Sequence, residues 1–170
     1  TVHKACTGNP RKLPSYCHPN KFHGAPDALY LNRGGGRFDD VSKSSGIAVA
    51  GRIQAKGLGV LPSDIDGDGR IDVIVANDST PNFVWRNRTL RGSRDVVFED
   101  AAFECGMALS STGKAEACMG IDGGDVDHDG HLDYYITNFA QETDTIYFGD
   151  GGVFFTVGST LSVFGRLSFA

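Results

Sequence analysis

The chain has 170 residues, 40% of them hydrophobic and 22% charged, a balance that supports a folded core and excludes a disordered chain. Its formal charge is -5, and its 16 basic residues are scattered without a block, which excludes an electrostatic footprint for nucleic acid or for an anionic membrane surface. No stretch approaches the roughly 20 apolar residues of a membrane helix, so no membrane insertion is expected.

The N-terminus has neither a basic n-region nor an apolar h-region, and the chain starts at Thr1 without an initiator Met. It reads as a processed product or an excised fragment. Residues 1–27 are a Pro- and Gly-containing leader with Cys6, Cys17, His18 and His23. Structural zinc sites usually open on closely spaced cysteines, so a disulfide-tied cap is expected ahead of a zinc site or unpaired side chains. Four cysteines allow three connectivities, and Cys6–Cys17 with Cys105–Cys118 closes the shortest loops. Such usage favours an oxidising, exported setting: secreted, periplasmic or cell-surface.

From residue 28 onward the chain repeats. Leu29-Tyr30-Leu31-Asn32 with Phe38-Asp39-Asp40-Val41 returns as Val84-Trp85-Arg86-Asn87 with Phe98-Glu99-Asp100-Ala101. It returns again as Ile146-Tyr147-Phe148-Gly149 with Phe154-Phe155-Thr156-Val157. Tyr30, Trp85 and Tyr147 share one slot, which points to core packing ahead of ligand stacking. A second element, Asp64-Ile65-Asp66-Gly67-Asp68-Gly69-Arg70-Ile71-Asp72, recurs 61 residues on as Asp125-Val126-Asp127-His128-Asp129-Gly130-His131-Leu132-Asp133. Each copy runs into a β-branched or aromatic strand, 71–76 and 132–137. Helical spacing is almost absent, and 23 glycines supply turns. The expected fold is all-β: propeller blades of short antiparallel strands with inter-strand loops, forming a partial ring of about two and a half blades. The expected divisions are 28–86, 87–147 and an incomplete third blade at 148–170. Remaining blades of a longer chain, or self-association, are expected to complete the ring.

The loop pattern D-x-D-x-D-G-x-x-D sets carboxylates at positions 1, 3, 5 and 9 with a glycine at the sharp turn. Clustered carboxylates repel unless a cation sits among them. Calcium takes six to eight oxygens in tolerant geometry, so the expected cofactor is two Ca2+ ions. The first would be held by Asp64, Asp66, Asp68, Asp72 and the Arg70 carbonyl, the second by Asp125, Asp127, Asp129, Asp133 and the His131 carbonyl. The imidazoles of His128 and His131 are expected to be exposed. An EF-hand would finish with Glu at position 12 on a helix; here Val75 and Ile136 stand there. Magnesium needs stricter geometry, and zinc prefers nitrogen and sulfur. Solvated Asp-Gly turns are the plain alternative, disfavoured by the recurrence. Asn77-Asp78-Ser79 and Asn87-Arg88-Thr89 fit the glycosylation pattern, which is frequent by chance.

On these segments, and on 113–139, the sequence resembles the FG-GAP/VCBS repeat family of integrin-α-like propellers. Within that family it is similar to bacterial cartilage-acidic-protein-like ASPIC/UnbV proteins. The resemblance covers roughly 28–157 and implies a secreted or surface-exposed propeller with calcium in its loops, used for adhesion and for protein or glycan binding. Cys105 and Cys118 depart from small or apolar positions of the family, which suggests a local disulfide; the ASPIC/UnbV segment is missing, and 158–170 leave the pattern. No nucleophile elbow, His-Glu-x-x-His motif or phosphate loop occurs, so a non-enzymatic module is expected. A non-catalytic portion of a lyase or hydrolase and a calcium-dependent lectin are the alternatives.

Overall fold

The computed structural model describes residue 6 and residues 17–48 and 55–158. Apart from a 3-10 turn at Pro19–Lys21, every regular element there is a strand. These are β1 (Tyr30–Gly34), β2 (Arg37–Asp40), β3 (Gly57–Ser63), β4 (Asp72–Asn77), β5 (Phe83–Asn87), β6 (Phe98–Asp100), β7 (Cys118–Gly124), β8 (Asp133–Asn138), β9 (Thr145–Gly149) and β10 (Phe155–Val157). They form one two-stranded sheet, β1-β2, and two four-stranded sheets, β3-β4-β5-β6 and β7-β8-β9-β10, antiparallel throughout. This is the all-β architecture of propeller blades expected from the repeat, with no closed barrel among the described residues.

The hydrogen-bonded sheets are offset from the sequence divisions. Boundaries at 86/87 and 147/148 fall inside β5 and β9, whereas each sheet begins at the strand before an acidic loop and ends with the Phe-Asp element. A period can be cut anywhere in sequence; hydrogen bonding selects the cut at 57 and 118.

The strands form where β-branched and aromatic residues alternate with turn-forming ones. β4 and β8 are central in their sheets and bury Ile74, Ala76, Tyr134 and Ile136 completely or nearly so, which is why both read as apolar runs. One core fills the space between the two large sheets: Ile74, Ala76 and Val84 from one side meet Tyr134, Ile136, Tyr147 and Phe155 from the other. The Tyr134 hydroxyl and Ser63 Oγ share a hydrogen bond of 2.7 Å across it. The edge strands β3 and β7 of the two large sheets lie close. A side chain at Gly59 would stand 3.2 Å from the Gly120 Cα and the Ile121 nitrogen, so glycine sets that approach. A second core joins Val75, Phe83 and Trp85 to Ile47 and Ala55.

The turn that follows each outer strand grips the next sheet. Ser45 accepts a hydrogen bond from the Phe98 N–H (2.7 Å), and Cys105 accepts one from the Phe155 N–H (2.9 Å), both through the backbone carbonyl. The side chains match as well: Ser45 Oγ donates to the Ser42 carbonyl and Cys105 Sγ to the Ala102 carbonyl, each three residues back. Cys105 therefore fills the buried slot that Ser45 fills one repeat earlier. The expected Cys105–Cys118 disulfide is not formed; both thiols are free and buried in the inter-sheet core. Burial pushes Cys105 up to about 11 and Cys118 up to about 12, so each stays a protonated, core-packing thiol. Cys6 and Cys17 are bonded to each other, which removes both thiolates from any zinc site. Trp85 and Tyr147 are core residues at 1% exposure, while Tyr30, in the same slot of the two-stranded sheet, is exposed. Asn77 is fully buried, which removes it as a glycosylation acceptor in the folded chain.

Candidate metal centre

Both acidic loops connect the first two strands of a sheet, β3 to β4 and β7 to β8, where the chain must reverse within eight residues. The hydrogen bonds their backbone N–H groups donate are the same, acceptor for acceptor. Asp64 receives the N–H groups of Asp68 (3.1 Å) and Gly69 (2.9 Å); Asp125 receives those of Asp129 (3.1 Å) and Gly130 (3.1 Å). Asp66 and Asp127 each accept a second, longer bond from the position-5 N–H. Asp68 and Asp129 accept from Arg70 and His131. The carboxylates thus shape the loop by satisfying its own backbone donors, the usual behaviour of Asp in turns.

The position-9 acids do more. Asp72 and Asp133 are 1% and 0% exposed. Asp72 accepts the Ile65 N–H (3.1 Å) and the Asn87 N–H (2.7 Å); Asp133 accepts the Val126 N–H (2.7 Å) and the Gly149 N–H (3.0 Å). Each pins the start of its loop to the end of the third strand in its sheet. Burial raises Asp72 above the ordinary aspartate value, with the charges of Asp66 and Asp68 adding to it and the two N–H groups opposing.

Asp64, Asp66 and Asp72 each place a carboxylate oxygen within 4.8 Å of the others, and Asp125, Asp127 and Asp133 repeat the arrangement. Three oxygens so close, with no nitrogen or sulfur among them, form a donor set that can hold a hard metal ion. Of the acids singled out in sequence, Asp68 and Asp129 stand outside these triads. Asp68 turns to the Arg70 guanidinium. Arg70 and His131 keep the position-7 slot, with the Arg70 side chain bonded to the Asn87 carbonyl at 2.7 Å. His128 is exposed as expected, and its φ of 64° is left-handed, like that of Gly67 (68°) at the same place in the first loop. The two loops border one open depression of about 160 Å³, lined by Asp64, Gly67, Gly130, His131 and Gly151 among others.

One participant escaped the sequence reading. Arg86, on β5 and 8% exposed, pairs its guanidinium with Asp66. Burial works to raise Asp66, but hydrogen bonding and charge from Arg86, with the Asp68 N–H, hold it below the usual carboxylate value. The available signal was an arginine inside an otherwise buried strand segment, Val84-Trp85-Arg86-Asn87, which needs an acid within reach.

Comparison with known proteins agrees with this geometry. Residues 64–136, which contain both loops, match the family described as FG-GAP-like repeat. Cartilage acidic protein 1 of Xenopus tropicalis is 25% identical over 115 residues, a segment covering 68% of this chain and 16% of that protein. The chain therefore spans a small part of that relative's length.

Proposed function

We propose that this chain, which carries the FG-GAP-like repeat over residues 64–136, is a calcium-binding β-propeller module of a secreted or surface protein, non-enzymatic, acting in adhesion through a protein or glycan ligand. The observation that carries the calcium reading is the carboxylate triad built twice, with the same hydrogen bonds, in the same inter-strand position. Turn preference accounts for one Asp-Gly loop; it does not account for two oxygen clusters of the same three positions, each with a buried acid.

Asp64, Asp66 and Asp72, and Asp125, Asp127 and Asp133, would hold the ions, with Asp68, Asp129 and the Arg70 and His131 carbonyls as further oxygen donors. Bound calcium supplies charge neutralisation and a common coordination point. The residues do the rest: Asp72 and Asp133 tie the loop to β5 and β9, so an ordered loop fixes the edge of its sheet. Both loops flank one depression, so ordering them together presents a defined surface at that end of the blades. The Cys6–Cys17 disulfide suits an exported protein.

The test is calorimetric titration of calcium into chelator-stripped protein, with bound metal counted by elemental analysis. Two calcium per chain is the expected result. An intact fold by circular dichroism with no bound metal would reduce the loops to solvated turns.

A further inference from the structure

The two loops match in their acids but not in their surroundings. In the first sheet Val73 pairs with Trp85, and in the second Tyr134 pairs with Tyr147, so the residue after each aromatic, Arg86 or Phe148, occupies the same place on the third strand. The next residue confirms the register: Asn87 N–H and Gly149 N–H make the same bond to Asp72 and Asp133. At this one register position the first sheet sets a guanidinium against its loop, while the second carries Phe148, an uncharged ring lying beside Gly158. Arg86 is held against Asp66, both side chains at or below 10% exposure, and Arg70 holds Asp68. Two of the four acids of the first loop are thus already paired with cations. Among the described residues no ion pair involves Asp125, Asp127, Asp129 or Asp133.

We infer that Arg86 is a built-in counter-ion that makes the loops unequal: the 125–133 loop takes calcium first and tightly, and the 64–72 loop fills second. The inference rests on the calcium reading above. A fixed positive charge one carboxylate away from an incoming dication opposes it, and a partly buried charge is screened less by salt than an exposed one. The expected penalty is on the order of tenfold in affinity for the first loop. The same pair also gives Asp66 a positive partner when calcium is scarce, which the acids of the 125–133 loop lack among the described residues.

The experiment is calcium titration of the full chain by calorimetry, with two assigning variants, Asp64→Ala and Asp125→Ala, each removing one loop. Wild type is expected to bind two calcium in two steps, the tight step lost in Asp125→Ala and the weak step in Asp64→Ala. Arg86→Met is expected to tighten the weak step about tenfold, drawing the steps together. Because Arg86 is buried and its removal threatens folding, Phe148→Arg, at the equivalent register position, provides the converse, and is expected to weaken the tight step while leaving the other unchanged. Two calcium bound with equal affinity, or a tighter first loop, would overturn the role of Arg86 and leave the calcium reading standing. No calcium at either loop would overturn that reading itself.

Discussion

His128 holds a left-handed φ of 64° at the loop position where the first copy has Gly67. A side chain with a Cβ carries a conformational cost of roughly 1–2 kcal/mol there, partly offset because glycine frees the unfolded chain by about 0.4–1 kcal/mol. His128→Gly is therefore expected to stabilise the protein by about 0.5–1 kcal/mol, and Gly67→His to destabilise it similarly, read as opposite shifts in urea midpoint. A second contrast separates the acids. Asp133→Ala strips the acceptor from the part-buried Val126 N–H and the buried Gly149 N–H and is expected to cost about 2–3 kcal/mol with or without calcium, since an orphaned buried donor costs roughly 1–3 kcal/mol. Asp125→Ala, at an exposed carboxylate, is expected to matter little in chelator and to lower stability only when calcium is present. If both variants behave alike in chelator, the structural role assigned to Asp133 is wrong. The acids themselves were readable because four of them recur at a fixed period. The division of labour among them was not, because burial and the pairing of Arg86 depend on which strand the fold lays beside the loop.

At the level of elements, the strands were legible from β-branched runs between turn residues, and the loop between two strands from the missing position-12 Glu. The turn after each outer strand was overlooked as a repeat, although Ser45-Gly46-Ile47-Ala48 answers Cys105-Gly106-Met107-Ala108. Reading Cys105 as half of a disulfide hid its equivalence to Ser45. The turn is demanding: Gly106 has a φ of 83°, and a Cβ there would sit 2.9 Å from the Phe155 carbonyl oxygen. Gly92 has nearly the same φ, 81°, with open space around it. Gly92→Ala is expected to cost about 1 kcal/mol, and Gly106→Ala about 2 kcal/mol or more as the clash separates the turn from β10. Equal losses in thermal melts would mean the grip on the next sheet carries no stability. Glu116 tests the other end of the second sheet, where it accepts bonds from Asn138 Nδ2 (2.6 Å) and Thr145 Oγ1 (3.2 Å). Burial raises its carboxyl above 4.5, and the charges of Glu142 and Asp144 add to this. Since the folded state holds that proton more firmly, its stabilising contribution is present at pH below about 4.5 and is lost as pH climbs through the raised value. Glu116→Gln is expected to flatten this decline and to melt higher than wild type at pH 7; an unchanged pH profile would remove Glu116 as its source.

For the whole molecule the expected count of two and a half units matches one two-stranded and two four-stranded sheets, but the half unit lies at the β1-β2 end among the described residues. Sequence counting opens each unit at the Leu-Tyr-Leu-Asn element, which in the two large sheets is the third strand, and so sets the partial unit at 148–170. That grouping decides how calcium acts on stability. Each acidic loop lies within one sheet, and its buried acid bonds to the third strand of that same sheet, while the sheets share one core through Tyr134, Phe155 and Val84. Metal held by either loop is then felt by the common unfolding transition. Ligand that binds only the folded state adds about 1.4 kcal/mol per tenfold rise in free ligand for each saturated site. Stability is expected to climb with that slope while only the 125–133 loop is filled, and with about twice that slope once the 64–72 loop fills too. Asp125→Ala is expected to remove the early rise and Asp64→Ala the late one, measured as unfolding free energy from urea curves across a calcium series. A single slope of about 1.4 kcal/mol per decade throughout, unaffected by Asp64→Ala, would mean one functional loop and a first repeat that Arg86 has already neutralised for good.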